Sequence, residues 1–148
     1  MNLSDFDDYR HFKPSELEKI GGYEQVDKSV MDLVEQVRRD YGKRIRITRA
    51  FSTPEQNAAV GGSEYSKHLT GFALDITPHL SELRYYPGLV MSLLRMRVGG
   101  LGLYTDGHVH IDTRSDVCGA RWIQYHGEKR EWTWDSAADV MDYYGTIA

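Results

Sequence analysis

The run His108-Val109-His110-Ile111-Asp112 constrains this chain more than any other stretch. Side chains of an extended strand alternate between its two faces. Val109 and Ile111 therefore point one way, and His108, His110 and Asp112 point the other. The apolar side needs a core to cover it, while the opposite side offers only groups that can hold a metal or move a proton. The run predicts a sheet that is packed on one face and chemically active on the other.

A second segment, Ser66-Lys67-His68-Leu69-Thr70-Gly71-Phe72-Ala73-Leu74-Asp75-Ile76, has the same character. Phe72, Leu74 and Ile76 alternate with Ala73 and Asp75, which reads as a strand, and Gly71 gives the chain the freedom to turn into it. His68, just before that turn, can fold back beside Asp75. The rest of the chain supplies helices and a frame. Val26, Val30, Leu33, Val34, Val37 and Tyr41 recur at helical spacing, and Gly42 stops the run. On that helix Glu35, Arg38 and Arg39 read as a solvated face. Phe12-Lys13-Pro14-Ser15-Glu16-Leu17 opens a short helix that ends at Gly21-Gly22, and a strand is expected over Arg44–Thr48. Thr53-Pro54-Glu55 is an N-cap followed by proline in the first helical turn. Leu89–Met96 reads as a helix before Gly99-Gly100. Leu101–Tyr104 and His108–Asp112 form two extended runs about the turn Thr105-Asp106-Gly107. The expected fold is α+β, with a small, mostly antiparallel sheet flanked by helices and the chemistry on its exposed face.

Composition narrows the function. With 148 residues, 41% hydrophobic and 27% charged, the chain has the size and balance of one globular domain spanning residues 1–148. A net charge of -4 argues against nucleic acid as a partner. The only cysteine, Cys118, has no disulfide partner and reads as inert, so metal ligands must be His, Asp or Glu. The first residues lack a basic start and an apolar run, and no stretch approaches the roughly 18 apolar residues that span a bilayer. No membrane insertion is expected, and the chain as given is expected to be cytoplasmic as synthesised.

Ser66-x-His68-x-x-Gly71-x-Ala73-x-Asp75, followed by Gly102-x-Tyr104 and Val109-His110-Ile111-Asp112, resembles the zinc D-alanyl-D-alanine carboxypeptidases and their endopeptidase relatives that cut peptidoglycan stem peptides, phage endolysins among them. The resemblance extends to Phe12-Lys13-Pro14-Ser15-Glu16, Asn57-Ala58-Ala59-Val60-Gly61-Gly62 and Gly119-Ala120-Arg121-Trp122. It implies one Zn2+ ion held by His68, Asp75 and His110, with Asp112 as a supporting partner of an imidazole or an arginine. Two imidazoles and a carboxylate leave a fourth position for water, as catalytic zinc requires. On the strand-face argument alone Asp112 would itself qualify as a ligand.

Two departures from the family pattern bear on mechanism. Some relatives place a glutamate base three residues before the last ligand, where this chain has Gly107. The similar Hedgehog signalling domain and other relatives have His-x-His there, which makes His108 the candidate base and Asp106 the weaker one. Where the family reads Ser-Gly-Tyr-Arg, this chain has Thr48-Arg49-Ala50-Phe51, so Phe51 replaces the arginine expected to grip a terminal carboxylate. Arg49 either substitutes for it or makes an ordinary ion pair. Ser66 binds substrate or caps a turn. Tyr104, Trp122, Trp132 and Trp134 line a groove or pack in the core. The expected activity is endopeptidase cleavage of stem peptides by a monomer that acts on the wall if released. The alternatives are a D,D-carboxypeptidase or dipeptidase, and a zinc-stabilised binding module without turnover.

Overall fold

The computed structural model describes residues 1–115 and 119–147; Cys118 lies outside them. The long amphipathic helix runs from Lys28 to Tyr41 (α2), after a short helix Pro14–Glu18 (α1). Asp27 caps α2 by accepting the Ser29 N–H at 2.8 Å, so Val26 falls just outside the helix although its side chain is buried. Gly42 ends it in the left-handed region at φ 76°, where a side chain would be strained.

Six strands form one sheet: β1 (Ile45–Arg49), β2 (Ala73–Pro78), β3 (Gly100–Tyr104), β4 (Val109–Asp112), β5 (Ala120–Tyr125) and β6 (Glu128–Arg130), in the order β1-β2-β4-β3-β5-β6. Every pairing is antiparallel except β3 with β5. A short helix, α3 (Pro54–Ala59), follows β1. Helix α4 (Tyr86–Arg95) is inserted between β2 and β3, and α5 (Trp134–Ile147) closes the chain. None of the helices is long and apolar enough to cross a membrane among the described residues.

All the core-forming strand residues point to one side. Ile45, Ile47, Leu74, Ile76, Leu101, Leu103, Val109, Ile111 and Ile123 meet the apolar stripes of α2, α4 and α5, including Val34, Leu89 and Val140. Covering that face with helices leaves the other for polar residues, so the fold is a two-layer α+β arrangement with the chemistry on the far side of the sheet from the core.

Further elements and one buried charge depart from the sequence expectation. Strands β5 and β6 and helix α5 are additional to the elements it predicts. Glu35 does not belong to a solvated face, being 3% exposed. The segment before α1 folds back over α2, so Glu35 accepts the backbone N–H groups of Arg10 at 3.1 Å and His11 at 3.3 Å, and meets the His11 ring at 2.9 Å. A buried carboxylate with that many donors is retained because each donor would otherwise go unpaired.

Candidate metal centre

The site starts at a turn. Ser66 accepts the His68 N–H at 3.3 Å and opens a single 3-10 turn, Lys67–Thr70, closed by Gly71 at φ 79°. A Cβ on Gly71 would lie 1.9 Å from the Gln25 carbonyl oxygen, so only glycine fits between the turn and that segment. Two hydrogen bonds tie the turn to the exit of β1. His68 Nδ1 meets the Ala50 carbonyl at 2.6 Å, and the Ser52 N–H donates to the His68 carbonyl at 3.0 Å. The remaining ring nitrogen, Nε2, faces Asp75 Oδ1 at 3.1 Å.

Strands β2 and β4 supply the other two groups by register. Asp75 pairs directly with His110, and both point away from the core. His110 Nδ1 lies 3.2 Å from Asp75 Oδ1, and His110 Nε2 lies 3.0 Å from Asp112 Oδ2. Ligand atoms of His68, Asp75 and His110 all fall within 4.8 Å of one another. The residues are 1%, 7% and 6% exposed, so the sheet face that the sequence suggested would be open is in fact covered at this point.

Proton accounting decides what the cluster needs. A carbonyl only accepts, so His68 carries its proton on Nδ1 and presents a lone pair at Nε2 when neutral. Asp112 likewise takes the Nε2 proton of His110, leaving a lone pair on Nδ1. Two lone pairs and a carboxylate oxygen then converge with no proton between them. Such a buried group of acceptors is repulsive unless a cation joins it. The pKa directions show the other way the cluster can be neutralised when no metal ion is bound, by an extra proton on an imidazole facing Asp75. Burial pushes Asp75 up, yet its contacts with His110 and His68 outweigh this and hold it well below the usual carboxylate range. Burial lowers His110, but the neighbouring Asp112 and Asp75 raise it on balance. Two imidazole nitrogens and a carboxylate oxygen fit zinc, and the carbonyl and carboxylate behind the imidazoles are the supports that orient metal-bound histidines.

His108 stands just ahead of β4. Its Nδ1 lies 2.5 Å from Asp106 Oδ1 and its Nε2 lies 3.9 Å from Asp75 Oδ2. The ring stacks on Tyr104 at 3.9 Å, and Tyr104 in turn accepts the Trp122 indole N–H at 2.7 Å. Burial raises Asp106, but its hydrogen bonds with His108 bring it below the ordinary value. Gly107 has φ 109°, a conformation that disfavours any side chain, which gives a physical reason for the missing glutamate.

Support for His110 comes from residues whose roles the sequence leaves open or does not show. Asp112 is fully buried and is held by Arg114 through Nε at 2.8 Å and Nη2 at 2.6 Å, so it meets an imidazole and an arginine together. On β3, Gly100 and Gly102 make room for these supports: a Cβ would lie 2.1 Å from Asp112 Oδ2 at the first and 2.3 Å from Trp122 Nε1 at the second. The Gly-x-Gly spacing on a strand was the available signal.

Arg49 reaches the site through a β-bulge. The register shifts between Ile47 and Arg49, which sets Arg49 rather than Thr48 opposite Asp75. Its Nε donates to Ser52 at 2.9 Å and its Nη2 to Asn57 at 3.0 Å, while Nη1 stands 3.9 Å from Asp75 Oδ2. Phe51 and Trp132 pack against the core, and Trp134 is exposed.

A sheet with its core on one side and a buried His-Asp-His cluster on the other is the arrangement of a protein that can hold a metal ion. The chain belongs to the Peptidase M15 family, whose sequence profile matches residues 10–112. It is accordingly a metallopeptidase, of a family that acts on peptidoglycan. No curated protein matches the chain. Among solved structures it is similar to the Serratia marcescens L-Ala D-Glu endopeptidase ChiX, with 17% identity, 62% of this chain and 75% of that chain covered, and a TM-score of 0.43.

Proposed function

We propose that this chain hydrolyses a peptide bond within bacterial peptidoglycan stem peptides, as an endopeptidase, using one zinc ion held by His68 Nε2, Asp75 Oδ1 and His110 Nδ1. The observation that carries this reading is the convergence of His68, Asp75 and His110 ligand atoms within 4.8 Å of one another, with the far nitrogens of the two imidazoles taken up by the Ala50 carbonyl and Asp112. A bound zinc ion lowers the pKa of water toward about 7 and polarises a carbonyl. His108 is the base: with Nδ1–H directed to Asp106, Nε2 is free to take a proton from the attacking water and return it to the leaving amine. Asp106 orients His108, and Tyr104 holds the ring flat. Asp112 orients His110. Ser66 shapes the His68 turn, and any contact it makes with substrate is additional.

An endopeptidase is favoured because Phe51 packs with the core and offers no charge to a terminal carboxylate. Arg49 supports a second reading, since its fixed guanidinium beside Asp75 could meet the carboxylate of a D,D-carboxypeptidase or dipeptidase substrate. Mass spectrometry of purified muropeptides, with and without a chelator, tests both. Internal cleavage that stops on metal removal is expected; release of single C-terminal residues establishes the second reading, and chelator-resistant cleavage refutes the metal. Replacing His108 by Ala should retain zinc and lose about 10²–10⁴ in kcat. Full turnover in that variant would remove His108 from the mechanism. His68→Ala should abolish stoichiometric zinc, and a full equivalent still bound would overturn the ligand set.

A further inference from the structure

A second polar site lies at the far end of β1 and α2. Arg38, Lys43, Arg44 and Arg84 line an open depression of about 380 Å³ with Tyr85 and Glu82. Four cations there face one carboxylate, in a chain whose net charge is -4. Glu82 is already engaged by Arg44, through Nη2 at 3.0 Å and Nε at 3.3 Å. Arg38, Lys43 and Arg84 have no carboxylate partner among the described residues. Lys43 and Arg84 both lie over the Tyr85 ring, at 4.1 Å and 4.6 Å, so their charges are held in place although they are not neutralised.

The Tyr41 hydroxyl lies near these residues without lining the depression. It is buried without a hydrogen-bond partner among the described residues, close enough to Glu82, Tyr85 and Arg38 for their charges to act on it. Burial pushes its pKa up to about 12, so it remains protonated at neutral pH. An ordinary structural account would place opposite charges around these cations, as Asp40 is placed on Arg95 at 2.6 Å. That neutralisation is missing here.

The basic surface continues along β1 at Arg46. Arg46 pairs with Thr77 across β1 and β2, and Thr77 shares its sheet face with Asp75. Arg46 is exposed and has no ion-pair partner among the described residues. It lies between the depression and Arg49. Arg44, which lines the depression, and Arg49 are five residues apart, about 16 Å at roughly 3.3 Å per residue.

We propose that Arg38, Lys43, Arg84 and Arg46 form a track at the start of β1 that binds a phosphate-bearing polyanion. Phosphate is preferred to carboxylate because its tetrahedral oxygens can be met from several directions by converging cations, whereas a planar carboxylate suits one guanidinium. The binding requires no step of the proposed hydrolysis, so each can fail alone.

The test uses inorganic polyphosphate as the probe and isothermal titration across a series of salt concentrations. Saturable binding is expected, weakening as salt rises. In the double variant Lys43→Ala/Arg84→Ala the slope of log K against log salt should fall by about 1.4, at roughly 0.7 for each phosphate that is no longer neutralised. Cleavage of a short uncharged-tail stem peptide should stay unchanged, which also reports that the variant is folded. Arg38→Ala serves as an independent second variant with a smaller loss of the same kind. Inorganic phosphate distinguishes the sources: equal affinity per phosphate group would assign the depression to the free ion and overturn the track. Preference for poly-glutamate over polyphosphate would overturn phosphate recognition in favour of an acidic peptide. Absence of polyphosphate binding near 0.15 M salt, or an unchanged slope in both variants, would overturn the proposal.

Discussion

Adding one methyl group at Gly100 should disable the metal centre without touching a ligand. The new Cβ would stand 2.1 Å from Asp112 Oδ2, and ordinary contact begins at 3.4 Å, so the carboxylate must retreat by about 1.3 Å. The backbone cannot yield easily, because Gly100 pairs with Asp112 on one side and with Ala120 on the other. Asp112 is fully buried, and its bonds to His110 at 3.0 Å and Arg114 at 2.6 Å leave no slack of that size. Breaking a buried charged contact costs about 3–5 kcal/mol. Loss of the carboxylate that orients a metal-bound histidine lowers metal affinity by about 10–100-fold. Urea unfolding of the Gly100→Ala chain reads the first quantity, and competition for zinc against a chromophoric chelator reads the second. If stability falls while zinc affinity stays within about twofold of the parent, Asp112 does not set His110 and the supporting role assigned to it is wrong. If neither changes, the close packing of β3 against Asp112 is itself refuted.

Glu35 gives a pH prediction. Burial raises its pKa, but hydrogen bonds from the His11 side chain and the Arg10 and His11 backbone lower it below the ordinary 4.5. A group depressed in the folded chain contributes its full stability above its unfolded value and loses it as pH falls through the folded one. Glu35→Gln should therefore cost about 1–3 kcal/mol at neutral pH, and the gap should close below pH 4.5; urea midpoints giving the same gap at about pH 7 and pH 3 would contradict it. Gly145 lies within α5 with open space where a Cβ would go. Gly145→Ala should raise stability by up to about 1 kcal/mol, and a lower melting temperature would show that position to be packed.

How much of this is legible in the sequence varies with the kind of signal. Strand β4 and the end of β2 are readable because alternation with a period of two is a local property, and it places Asp75 and His110 on the face opposite Ile76 and Val109. The hairpin between β5 and β6 is not readable, because its turn is His126-Gly127 with φ 49° and 84°, and His-Gly is not among the Asn-Gly, Asp-Gly or Gly-Gly pairs that mark such a turn. Helix α5 carries a usable signal in Ala137, Val140 and Tyr144, whose spacing of three and four matches their burial. Thr133 caps it by accepting the Ser136 N–H at 3.0 Å.

The sequence by itself determined the α+β class, the apolar and polar faces of the central strands, and, through family resemblance, which residues to expect at the metal. Those depend on residue type and short spacings. Only tertiary structure decided which nitrogen of each histidine faces Asp75, since that follows from the Ala50 carbonyl and Asp112 occupying the other one. It also decided that a bulge brings Arg49 to the centre, that Glu35 is buried, and that cations from α2, the start of β1 and the segment before α4 gather at one depression. Each of these depends on contacts between residues distant in the chain, and no local pattern encodes which distant partner will arrive.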